Sequence, residues 1–225
     1  MTATSTRTVL LAGRDAMRTA GWQEELRAAG AWQVLPPAHS FATARVLLHR
    51  HDPALLITDL HLADGLAVDM VRVLRSGTSP LGTQVLVVAR GQDPALLDAL
   101  QAGADNFHDL DDAKAPGLAE QALDTLSGGA EIAPWIARRL LDHFGVEAQT
   151  ATRPHVASPD AMAGPLELTA AERQLLRQLS IGQRISDVAR LIGLAPRDLA
   201  ARVRTIYRKM QWGLRAGDLS LSPAR

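Results

Sequence analysis

Short apolar runs alternate with amphipathic stretches through the first 128 residues, and this alternation limits the fold more than any other feature of the chain. The runs are TVLLA (8–12), WQVLP (32–36), ALLIT (54–58), QVLVVA (84–89) and NFHDL (106–110). Helical patterns lie between them near 15–29, 40–50, 66–76, 93–102 and 115–126. Strands that read as continuous apolar runs are buried on both faces, which happens when helices cover a parallel sheet. Strand and helix in strict alternation predict an α/β fold, a doubly wound five-stranded parallel sheet. The turns agree: HDP precedes the third run, and a glycine in QAGAD ends the fourth helical pattern.

The third run, within LLITDLHLADG (55–65), ends on Asp59. A carboxylate at the carboxyl end of a buried parallel strand sits where open α/β sheets keep their chemistry. Asp59 is therefore the first candidate functional residue.

The rest of the chain is built differently. WIARRLLDHFG (135–145) has apolar residues at helical spacing, Pro134 suits its first turn and Gly145 its cap, so 129–145 reads as a connector helix. The segment 146–165 carries Pro, Ala, Ser and Thr without apolar periodicity and reads as a flexible linker. In 166–225, Thr169 and Glu172 form a capping-box pattern before LLRQL. ISDVARLIGL then closes at Gly193, and Pro196 opens APRDLAARVRTIYRKM. A short helix, a glycine turn and a longer basic helix predict an all-α helix-turn-helix domain. WGLRAGDLSLS is expected to form a last short helix, with Leu214, Leu219 and Leu221 offering apolar contact for pairing or for the core.

Net charge is zero over 225 residues but unevenly spread. From Leu166 onward there are eleven Lys/Arg against five Asp/Glu, and the first 165 residues carry the compensating acidic excess. A basic small domain most often meets nucleic acid. With no cysteine, disulfide and thiolate chemistry are excluded. No apolar run approaches membrane-spanning length and the start has too short an apolar core for a signal peptide, so a cytoplasmic location without membrane contact is expected. HRHD (49–52) and DLDD (109–112) read as surface clusters rather than metal sites. No phosphate-binding glycine loop or Ser/His/Asp set is present, which argues against an enzyme and predicts neither cofactor nor metal.

Three stretches carry a family resemblance: LLITDLHLADGLAVDMVRVLR, ALLDALQAGADNFHDLDD and LTAAERQLLRQLSIGQRISDVARLIGLAPRDLAARVRTIYRKM. In this order and spacing the chain resembles a NarL/FixJ-type bacterial response regulator of two-component systems. The resemblance implies a flavodoxin-like receiver (1–128) followed by a LuxR-type DNA-binding domain (166–225). In the family an aspartate at the position of Asp59 accepts a phosphoryl group. Two acidic residues after the first strand hold magnesium with it, and a Thr/Ser and a Lys after the fourth and fifth strands bind the phosphoryl group. Gly13 and Arg14 stand where the acidic pair belongs, Ala89 at the hydroxyl position and Leu110 at the Lys position. Phe107 occupies the switch-aromatic position, where it serves either a switch or simply the core. This is an atypical receiver, because a carboxylate attacks a phosphate dianion only when cations neutralise the accumulating charge. One reading pairs Arg14 with Asp59 as an internal cation. In others both side chains face solvent, or Asp15 swings in and the site works slowly.

In the basic helix, Leu199, Val203, Ile206 and Met210 mark a buried stripe opposite Arg197, Ala201, Arg204 and Arg208. The family pattern implies that Ala200, Ala201 and Arg204 face bases. It implies phosphate contacts by Arg197, Arg202, Arg208 and Lys209, with Arg184 touching the DNA backbone. The expected function is sequence-specific transcription regulation, independent of phosphorylation, by a homodimer on double-stranded promoter DNA, with RNA polymerase or a partner regulator alongside. A conventional Asp59-phosphorylated regulator and a protein-interaction adaptor without DNA binding are the alternatives.

Overall fold

A computed structural model describes residues 7–76, 82–146, 164 and 166–220, without the side chains of 216–220. The chain divides into two compact units, Met1–Ala130 and Glu131–Arg225. In the first, β1 (Arg7–Ala12), β2 (Trp32–Val34), β3 (Leu55–Asp59), β6 (Gln84–Ala89) and β7 (Asn106–Asp109) form a parallel sheet ordered β2-β1-β3-β6-β7. All five residues of β3 are buried, as its uninterrupted LLITD requires. One core cluster gathers Val9, Leu11, Ile57, Leu86 and Val88 from the sheet with Trp22, Leu26, Leu118 and Ala122 from the helices α1 (Ala16–Ala28) and α5 (Leu118–Leu126). Leu10, Leu56, Val85 and Val87, alternating with these along their strands, are equally buried. The remaining helices of this unit are α2 (Phe41–His51), α3 (Ala67–Ser76) and α4 (Pro94–Ala102). Strand register Ala12↔Thr58 and Asp59↔Val88 brings the ends of β1, β3 and β6 to one edge, with Asp59 at its centre.

The sequence reading missed a two-residue hairpin, β4 (His61–Leu62) with β5 (Gly65–Leu66). It is too short for periodicity to reveal. Asp64 in its turn accepts hydrogen bonds from Phe41 N and Ala42 N, satisfying two donors at the start of α2. Those bonds, that from Phe41 foremost, hold its carboxyl below the ordinary range.

The second unit contains α6 (Pro134–His143), α7 (Ala170–Ser180), α8 (Ile185–Ile192) and α9 (Pro196–Ser220). Helix α6, read from sequence as a connector, falls within this unit: Arg138 Nη1 donates to the Ser180 carbonyl at 3.2 Å and the Tyr207 hydroxyl to the Glu131 carbonyl at 2.7 Å. The capping box forms as the sequence predicts, Thr169 and Glu172 each accepting from the other's backbone N–H. Gly193, at φ 69°, ends α8 in the left-handed conformation. The expected separate last helix does not form, because α9 runs unbroken for 25 residues through Gly213. Leu214 is exposed, while the Leu219 side chain and Leu221 lie outside the described residues, as does nearly all of the proposed linker.

Candidate functional site

Asp15 sets the geometry around Asp59. It takes the N-cap position of α1, its Oδ1 accepting from Met17 N at 3.0 Å and Arg18 N at 3.1 Å. The bond from Arg18 N is the main reason its carboxyl sits below the ordinary range. A carboxylate used in this way caps a helix and is not turned toward the sheet edge. The idea that Asp15 swings in as a ligand is thereby replaced.

With the helix started at that point, Arg18 falls beside the buried stripe Thr19, Trp22 and Leu26 and reaches back over the sheet edge. Arg18 Nη2 donates to Asp59 Oδ2 at 2.6 Å, and its guanidinium carbon lies 5.7 Å from the Trp22 ring centroid. Asp59 is 5% exposed. The internal cation is therefore Arg18, and the pairing expected for Arg14 is corrected, since Arg14 lies exposed at the end of the β1 loop. Arg14 stands two residues beyond the end of β1, ahead of the helix. Arg18 returns from the first turn of the helix. The sequence signal was available: reading Asp15 as a cap puts the residue three positions on beside the helix's buried face.

Gly13 is closed in on all sides. Its N–H donates to the Ala38 carbonyl at 2.9 Å, and its own carbonyl lies 2.9 Å from His39 Nδ1. A Cβ built there would stand 2.8 Å from Thr19 Oγ1 and 3.0 Å from Asp59 Oδ2. Ala89 is buried, and Leu110 packs partly buried on the core cluster with its N–H on the Ala89 carbonyl at 3.0 Å. Phe107 is buried as a core residue beside them. The residues present do not fit a magnesium ion here. One carboxylate, already bound by a guanidinium, faces a glycine with no room for a side chain, whereas magnesium demands an octahedral oxygen shell. Among the described residues no cluster of three or more His, Asp or Glu could hold a metal.

At the rim of the same edge, His61 Nε2 lies 2.6 Å from Asp93 Oδ2, while Asp93 Oδ1 caps α4 by accepting from Ala95 N at 3.0 Å. The His61 bond is the leading cause of a lowered Asp93 carboxyl. Sequence reasoning missed this contact, since its partners lie 32 residues apart.

In the second unit, α9 buries Leu199, Val203, Ile206 and Met210 as the periodicity predicts, but its covered side is wider. Ala200, Arg204 and Tyr207 are buried as well, Arg204 being only 3% exposed. Burial drives the Tyr207 hydroxyl well above its ordinary range, opposed by the neighbouring Arg204 charge. The placement of Ala200 and Arg204 on the outer face is thus corrected. Lys209 is corrected too: its Nζ donates to Glu172 Oε2 at 2.7 Å and to the Glu167 carbonyl at 2.9 Å, holding α9 against the start of α7. Arg197, Ala201, Arg202, Thr205 and Arg208 are exposed on α9, and Arg184 is half-buried at the N-cap of α8. Thr205, which sequence reasoning passed over, belongs to this face.

The chain thus carries a five-stranded parallel sheet with an aspartate at the end of its central strand, followed in sequence by a helix-turn-helix unit. No family model matches the chain. It is 26% identical over 186 residues, 82% of this chain and 79% of the relative, to a probable transcriptional regulatory protein NarL of Mycobacterium tuberculosis. Its fold matches a LuxR-family two-component response regulator of Aurantimonas (TM-score 0.53, 21% identity, 61% of this chain and 97% of the other). It also matches RcsB, solved as two dimers bound to two parallel DNAs (TM-score 0.52, 15% identity, 94% of this chain and 99% of the other). The chain is thus similar to NarL-type response regulators, and it has a receiver-fold unit and a helix-turn-helix unit.

Proposed function

We propose that this chain is a cytoplasmic, sequence-specific DNA-binding transcription regulator whose receiver is controlled without phosphorylation. The observation that carries the second half is the Arg18–Asp59 ion pair at 2.6 Å. In a working receiver a divalent cation and a lysine would neutralise the charge around the phosphoryl group. Here the guanidinium of Arg18 already neutralises Asp59, and Gly13, Ala89 and Leu110 supply no further ligand. The pocket is a closed structural ion pair.

The first half is supported by the basic second unit, by its helix-turn-helix order and by relatives described as a transcriptional regulator and as a DNA-bound dimer. On this reading residues 1–128 form the regulatory domain, and the second unit, α6 included, carries the DNA-binding domain 166–225. The chain works as a homodimer on double-stranded DNA. Arg197, Arg202 and Arg208 grip phosphates from the exposed face of α9, with Arg184 beside them.

The test is thermal unfolding of the full-length protein with and without magnesium and beryllofluoride, alongside DNA binding by the untreated protein. The expected result is no stabilisation, in protein that binds duplex DNA unaided. A beryllofluoride-dependent stabilisation that Asp59→Asn abolishes would refute control without phosphorylation.

A further inference from the structure

The covered and exposed arcs of α9 say which atoms a DNA groove would meet. At roughly 100° per residue, the exposed residues span an arc with Arg197 and Arg208 at one edge and Arg202 at the other. Ala201 and Thr205 lie at its centre, one turn apart. Arg204, the long side chain that the family pattern would send to the bases, falls across the boundary on the covered side. The Thr205 hydroxyl donates to the Ala201 carbonyl at 3.0 Å. With that hydrogen committed to the helix backbone, Thr205 has no hydroxyl proton left to offer a base, and a methyl group is what it shares with Ala201 on this exposed face.

We propose that this helix reads DNA through the paired methyl groups of Ala201 and Thr205, and so selects thymine at two nearby positions of its site. The inference rests on the DNA-binding reading above and deepens it. Small side chains at the centre of the arc let the helix approach the groove floor, while the flanking arginines hold the phosphates on either side. In the major groove thymine alone presents a methyl group, and Ala and Thr methyls are its usual apolar partners. Residues one turn apart are separated by about 6 Å along the helix axis. That distance spans about two steps at roughly 3.4 Å per base, so the two thymines should lie one or two steps apart.

The experiment uses the full chain. A randomised duplex pool is selected for binding, and the thymidines of the enriched site are then replaced singly by deoxyuridine, which removes only the methyl group. The expected loss at the two contacted positions is about fourfold each, equivalent to about 0.8 kcal/mol for one methyl-sized group. Thr205→Ser, which deletes the methyl and keeps the hydroxyl, should bind but no longer distinguish thymine from uracil at one of them. Thr205→Val should still distinguish them. Arg204→Gln should leave the selected sequence unchanged. Equal affinity for thymine and uracil throughout the site, or a preference that shifts with Arg204→Gln, overturns the proposal. Failure to bind any duplex at low salt would instead remove the DNA-binding reading itself, and the proposal with it.

Discussion

Replacing Arg18 by methionine keeps much of the side-chain volume over Trp22 and strips Asp59 of the cation 2.6 Å away. Two unit charges about 4 Å apart attract by about 4 kcal/mol at an effective dielectric of 20. The Arg18 side chain is 27% exposed and that of Asp59 7%, so solvent screening and the desolvation of both groups take back a good part of this. Leaving a buried acceptor without its partner costs about 1–3 kcal/mol, and more when it is charged. In a unit of this size about 2 kcal/mol lowers Tm by roughly 6–10 °C. Because the methionine also gives up the cation–π contact, worth about 0.5–1 kcal/mol, the single variant overstates the pair. A double-mutant cycle with Asp59→Asn isolates it, with an expected coupling of about 1–3 kcal/mol by urea denaturation. Additivity within about 0.3 kcal/mol would refute the internal-cation account, as would an Arg18→Met protein as stable as the parent.

Three further outcomes follow from the same structure. Gly13→Ala should destabilise the receiver-fold unit by about 1–3 kcal/mol, because its Cβ would meet Thr19 Oγ1 at 2.8 Å, and Thr19 is itself tied to the Asp15 carbonyl. An unchanged Tm would mean that the pocket has room the geometry denies. At Glu172, burial raises the carboxyl while the Lys209 ammonium and the Thr169 N–H lower it by more, leaving it below its ordinary 4.5. The depressed folded-state value means that its stabilisation is complete above the unfolded-state pKa and is lost as pH falls below it. Glu172→Gln should therefore flatten the stability of the second unit across that acid range, which a pH series of urea melts measures. Finally, Arg208→Ala should weaken binding to all duplexes alike and reduce the salt slope by about 1, while Lys209→Met lowers stability and leaves that slope alone. A salt slope that drops equally in both would put Lys209 on the phosphates after all.

The sequence by itself determined the architecture. Five apolar runs spaced by amphipathic stretches leave little but a helix-covered parallel sheet, and Asp59 ends its third strand, which the sheet order then places at the centre. The capping box at Thr169 and Glu172, the glycine that ends α8 and the proline that opens α9 were legible because each acts within a turn or two of chain. That Gly13, Ala89 and Leu110 bear no group able to bind a cation or a phosphoryl oxygen was equally plain. Tertiary structure decided who meets whom. Arg14 and Arg18 are equivalent as letters, and only the start of α1, fixed by the Asp15 cap, sends the second and not the first over Asp59. Likewise a helical wheel gives the position of Arg204 around α9 but not how much of the helix its neighbours cover. Periodicity records local geometry, whereas an ion pair across 41 residues and the width of a buried face depend on the packing of elements far apart in the chain.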